Sequence, residues 1–171
     1  MSAPPTTALY LAAAVLLGVA GCAKAARPDG TARALHAAGI KASRSLVRTG
    51  AAAEVALCVA AFVAPGPVTG GLVAASYAGF ALFVATALRR GWALSSCGCF
   101  GRPDSPPTVA HAGVDVAACA AAVWWACVPP ASIGGAFAHQ PWHGGPLAFV
   151  IAVLAGLALV VWTNPLAAVR R

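Results

Sequence analysis

Apolar residues fall into five long blocks along this chain, residues 8–23, 50–64, 68–88, 108–128 and 146–163, with Gly, Pro and charged residues gathered between them. Most of the blocks come near the roughly 17–25 residues that cross a bilayer as helix. The pattern predicts an all-α membrane protein, a bundle of five transmembrane helices. The second block, "GAAAEVALCVAAFVA", is short and carries an acid, so a four-span bundle is the alternative. The "PGP" directly after it predicts that blocks two and three form a helical hairpin rather than one bent helix.

Composition agrees with that pattern. Hydrophobic residues make up 60% of the 171 and charged residues 9%, with a mean hydropathy of +0.82, where a soluble domain carries about 25% charged residues. Short connections leave no room for a soluble or separate cofactor-binding fold, so residues 1–171 read as a single domain. No tandem repeat, nucleotide motif or haem or quinone signature is present, and no cofactor is expected.

The net charge of +7 raises the question of nucleic acid, but the positions of the charges answer it differently. Lys24, Arg27, Arg33, Lys41, Arg44 and Arg48 lie between blocks one and two, Arg89, Arg90 and Arg102 between three and four, and Arg170 and Arg171 at the end. All three regions share one side of a five-span arrangement, and the opposite side carries no Lys or Arg. The positive-inside rule then places the N-terminus outside and the C-terminus inside. A face with Leu35, Ala38, Ala42 and Leu46 hints at a short interfacial helix in the longest basic connection, but the preferred reading there is a charged loop on anionic lipid. The "VAGC" at 19–22 resembles a lipoprotein cleavage box. With no positive residues before it, and with Lys24 and Arg27 following as a stop-transfer signal would, the first block is read as a span, lipidation of Cys22 being the lesser reading.

The chemistry concentrates in "SSCGCFGRP", residues 95–103. Two thiols one residue apart reach disulfide geometry only if the chain turns between them, which Gly98 permits. Such a bridge is strained and therefore easily reduced, which suits exchange better than permanent cross-linking. Arg89, Arg90 and Arg102 favour the reactive thiolate. Cys97 and Cys99 are thus the candidate redox pair. A zinc or copper site using Cys97, Cys99 and His111 is the rival, weakened because zinc sites usually space their cysteines by two to four residues. A tight loop with weakly active thiols is the bland alternative.

Glu54 and Asp115 are acids inside apolar blocks, and an intramembrane ionisable residue is a functional hypothesis by default. Glu54 lies about 9 Å beyond Arg48 and Asp115 about 12 Å beyond Pro107 at 1.5 Å per residue, so both are expected near the side that bears the cysteine loop. His111, Asp115 and Cys119 follow an i, i+4, i+8 spacing on one helix face. Glu54, His111 and Asp115 are therefore candidate proton partners for the thiols, with mutual satisfaction of His111 and Asp115 at a helix end as the structural alternative. Cys22, Cys58, Cys119 and Cys127 read as packing residues. His139 and His143 are kept from a regular helical pair by Pro141, and Trp124, Trp125, Trp142 and Trp162 as interfacial anchors or packing residues.

"GVAGCAK" with "RPDG", "RTGAAAEVAL", "SSCGCFG" and "TVAHAG" together resemble the methylamine-utilisation protein MauE family, akin to DoxX-like small membrane proteins, over roughly residues 8–128. The resemblance implies a polytopic helical protein of the bacterial cytoplasmic membrane associated with thiol redox chemistry. It also implies a link to maturation of the disulfide-rich small subunit of methylamine dehydrogenase, alongside a thioredoxin-like partner. Cys97 and Cys99 match the family's cysteine motif and Glu54 its second-span acid, whereas His111 and Ala112 stand where family members often have Arg-Asn. The charge rule puts the cysteine loop on the cytoplasmic side, while the implied partner works outside. A non-catalytic scaffold for that partner is the third reading.

Overall fold

The computed structural model describes residues 5–92, 108–128 and 145–163, and Cys97, Cys99 and Arg102 lie outside them. Within the described residues six helices follow one another: α1 Pro5–Ala26, α2 Pro28–Ala37, α3 Arg44–Val63, α4 Pro67–Arg90, α5 Val109–Cys127 and α6 Gly145–Thr163. Among the described residues there is no strand. Four helices (α1, α3, α4 and α5) are long and apolar enough to cross a membrane, and α6 adds a shorter apolar stretch, Ala148–Leu157. All five apolar blocks are helical, so the chain is an all-α membrane bundle.

The bundle is organised around α1, the most buried of the spans, with α3, α5 and α6 packed along it and α4 packed chiefly along α5. Its core side chains include Tyr10, Leu11 and Leu17 of α1, Val73 and Tyr77 of α4, and Trp125 of α5. Contacts at known positions fix the directions. Tyr10 stacks on Trp125 at 4.1 Å between ring centroids, so α1 and α5 are antiparallel. Tyr77 donates its hydroxyl hydrogen to the Ala13 carbonyl at 2.7 Å, satisfying the buried phenol. Gly70 meets Trp125 and Ala126, making α4 and α5 antiparallel as well.

One end of the bundle therefore gathers the C-termini of α1 and α4, the N-termini of α3 and α5, and all of α2. Every described lysine and arginine is at this basic end, as the charge pattern predicts.

Two expectations are corrected here. The connection after α1 is not merely a charged loop, because residues 28–37 form α2, started by Pro28 at its first position and tied to α3 by an Asp29–Arg44 pair at 2.5 Å. Its register also differs from the expected face: Gly39, at φ +82°, ends the helix before Ala42 and Leu46. The weak second block is a helix of 20 residues, since α3 begins well before the apolar run, where the Ser43 hydroxyl caps the Leu46 N–H at 3.2 Å. Hydropathy misses that start because Arg44, Ser45, Arg48 and Thr49 interrupt the apolar run there.

Candidate functional site

The second span's acid finds its partner on α1. Gly18 and Gly21 lie against α3 so closely that a Cβ on Gly18 would fall 2.7 Å from the Cys58 sulfur, and one on Gly21 would fall 2.7 Å from the Ala51 carbonyl oxygen. Small residues let the two backbones approach, as at many membrane helix interfaces. One turn beyond Gly21, the Lys24 side chain extends back toward the N-terminus of α1 and its Nζ donates to Glu54 Oε1. Lys24 is 5% exposed, and the Nζ also lies 4.6 Å from the centre of the Phe80 ring of α4.

An ion pair and a cation–π contact thus replace part of the hydration that both charges lose. The second carboxylate oxygen, Glu54 Oε2, is buried with no hydrogen-bond partner among the described residues.

The Lys24–Glu54 pair forms one wall of a cavity of about 400 Å³ between α1, α2, α3 and α4. Thr31, Ala34 and Leu35 of α2 close it at the basic end, and Phe80 and Phe83 of α4 supply aromatic wall.

His111 and Asp115 sit on α5, on the buried face that continues through Ala118, Ala122 and Trp125. The His111 Nδ1 accepts from the Thr108 N–H at 3.2 Å and lies 2.6 Å from the Thr108 hydroxyl. The backbone contact assigns the ring proton to Nε2 when the imidazole is neutral. Asp115 is fully buried. Glu54 is carried by α3 and these two by α5, helices that share no extensive interface and both pack on α1.

Trp92, just after α4, packs 6.1 Å from Phe83 and beside Ala34 of α2. Arg90 lies 5.8 Å from the same indole, and both Arg89 and Arg90 are exposed. Gly91 adopts φ +60° to end α4, and Thr108 caps α5. Both flanks of residues 93–107 therefore belong to the basic end.

Of the other cysteines, Cys58 and Cys119 are partly buried packing residues, while Cys22 and Cys127 lie exposed on the outer surfaces of α1 and α5, not in the core. All four are free thiols. Trp125 is a packing residue and Trp124 faces outward. His139, His143 and Trp142 lie outside the described residues. Among those described, no three His, Cys, Asp or Glu are grouped to hold a metal.

Lys24 is the residue that sequence reasoning misplaced, by taking it as a stop-transfer charge beyond the span. The signal was present in Gly18, Gly21 and Lys24 at three-residue intervals, opposite an acid in the next span that requires a partner.

No curated protein and no solved structure matches the chain. The family model for methylamine utilisation protein MauE matches residues 1–129, which covers α1 to α5 and leaves α6 outside. With three quarters of its length inside that match, this membrane bundle belongs to the MauE family.

Proposed function

We propose that this protein is a thiol–disulfide redox component of the bacterial cytoplasmic membrane, with its N-terminus outside and its C-terminus inside. It would support electron transfer to, or maturation of, a disulfide-containing partner, with a thioredoxin-like protein as intermediary. In this family that client would be the small subunit of methylamine dehydrogenase. The observation that carries the reading is the Cys97-Gly98-Cys99 sequence between two tightly packed spans of a MauE-family chain.

Cys97 and Cys99 are the exchanging pair. Arg89, Arg90 and Arg102 favour thiolate over thiol through nearby positive charge. His111 and Asp115, at the root of the span that follows the loop, are the proton partners. Glu54, engaged by Lys24 in the cavity wall, is the third proton partner. When the pair oxidises, two thiols lose two protons and two electrons to the partner's disulfide, which becomes a dithiol.

The test is alkylation trapping in intact cells with a membrane-impermeant reagent, with and without permeabilisation. The expected result is a redox-variable Cys97/Cys99 pair reached only after permeabilisation, with activity lost in Cys97→Ser and Cys99→Ser but retained in Cys58→Ser. Full function in both loop variants would overturn the mechanism, and labelling from outside would reverse the orientation.

A further inference from the structure

The cavity beside Lys24 does not end at the ion pair. From Gly50, Glu54, Ala75, Ser76 and Phe80 it continues as a groove of about 730 Å³ between α3 and α4. The groove runs past Ala53, Leu57 and Ala60 on one side and Leu72 on the other. Between Leu46 and Ala60 it follows α3 for about 21 Å at 1.5 Å per residue. α3 and α4 are consecutive helices yet have little contact with each other.

We infer that this space is a binding site for a lipid-soluble quinone or quinol, its ring against Lys24 and Glu54 and its tail along the α3–α4 groove. Four observations select that chemistry. The two charges already neutralise one another, so a charged head would stand as an uncompensated charge in a low-dielectric site. The ammonium has three donors, of which Glu54 Oε1 takes one, leaving the group able to donate to a carbonyl oxygen. Glu54 Oε2, without a partner among the described residues, is an acceptor for a hydroxyl. Phe80 and Phe83, near one turn apart on α4, offer aromatic surface to a planar head, and apart from Thr31 and Ser76 the remaining wall is apolar, as ligand sites usually are. The inference concerns binding alone and does not depend on the thiol reading.

The full-length protein in nanodiscs is titrated with decylubiquinone. Binding is read by quenching of tryptophan fluorescence and separately by peptide mapping of an azido-ubiquinone photoadduct. Saturable binding with adducts on α3 and α4 is expected. Gly79 lines the cavity and a Cβ there meets nothing within 4 Å, so Gly79→Leu fills the site without disturbing the helix. It is expected to weaken binding about tenfold or more without lowering Tm. Glu54→Gln keeps the shape and loses the charged acceptor, and is expected to weaken quinol binding more than quinone binding.

Wild-type affinity in Gly79→Leu, or adducts confined to other helices, would overturn the assignment. Equal competition by dioctanoylglycerol would also overturn it, by showing a seat for lipid chains with no preference for the ring. Stronger competition by decanoate would do so by showing that the site takes an anion.

Discussion

α3 forms seams with α1 and with α4, and the two seams are opposites. Against α1 it is packed so tightly that neither Gly18 nor Gly21 has room for a methyl group. Against α4, its partner in the hairpin, it leaves an open groove, and Gly50 and Gly79 at its edges face empty space. Connection by a three-residue turn therefore does not decide which helices pack. Side-chain size does, because in lipid the association of helices rests on close van der Waals fit rather than on hiding apolar surface from water. α4 places its own close contact elsewhere, with Gly70 against Trp125 and Ala126 of α5. The Lys24–Glu54 pair sits where the tight seam opens into the loose one.

The largest way to break this contrast is to remove one charge. Lys24→Met or Glu54→Leu leaves the other partner buried and uncompensated, at a cost of about 3–5 kcal/mol, while the double variant Lys24→Met/Glu54→Leu recovers most of that loss. Reversible unfolding of each variant in bilayers measures it. Single variants as stable as the wild type would mean that water in the groove hydrates the pair, which would make the loose seam wet.

A second comparison sets one glycine against another. Gly21→Ala drives a methyl group into the Ala51 carbonyl, a backbone atom that cannot swing away, and is expected to cost about 1–3 kcal/mol. Gly79→Ala places the same methyl group in open space within a helix and is expected to stabilise by about 0.5–1 kcal/mol. Thermal unfolding of both in nanodiscs should shift Tm in opposite directions. A shift of the same sign in both would show that helix propensity, not the fit of the seam, governs these positions.

How much of this was legible in the sequence follows from the same physics. The spans were legible because long, seldom interrupted apolar blocks have few other folds, and the basic end because Lys and Arg cluster in alternate connections. α2 was hidden, since a ten-residue helix with a proline start and a glycine stop differs little from a loop when only apolar runs are followed. Glu54 was found, but its partner was not: Lys24 lies at the end of an apolar block, and its chain reaches back into the bundle only because Gly18 and Gly21 bring α3 near. The loose seam had no sequence signature, because a groove between two apolar helices depends on how α4 is turned, and α5 sets that turn.

The smallest expected effect concerns what holds α2 over the cavity. Asp29 and Arg44 form a surface pair whose side chains are half or more exposed, and such pairs contribute little once salt screens them. Ala34, packed with Ala87, Phe83 and Trp92, is the buried attachment. Asp29→Asn is therefore expected to leave both Tm and the hydrogen exchange of residues 28–37 unchanged. Ala34→Asp, which puts a charge into that apolar seat, is expected to raise exchange across α2 while the spans stay protected. If Asp29→Asn alone released α2, an exposed charge pair would be the latch on the cavity, and raising the salt concentration should then open it in the wild-type protein as well.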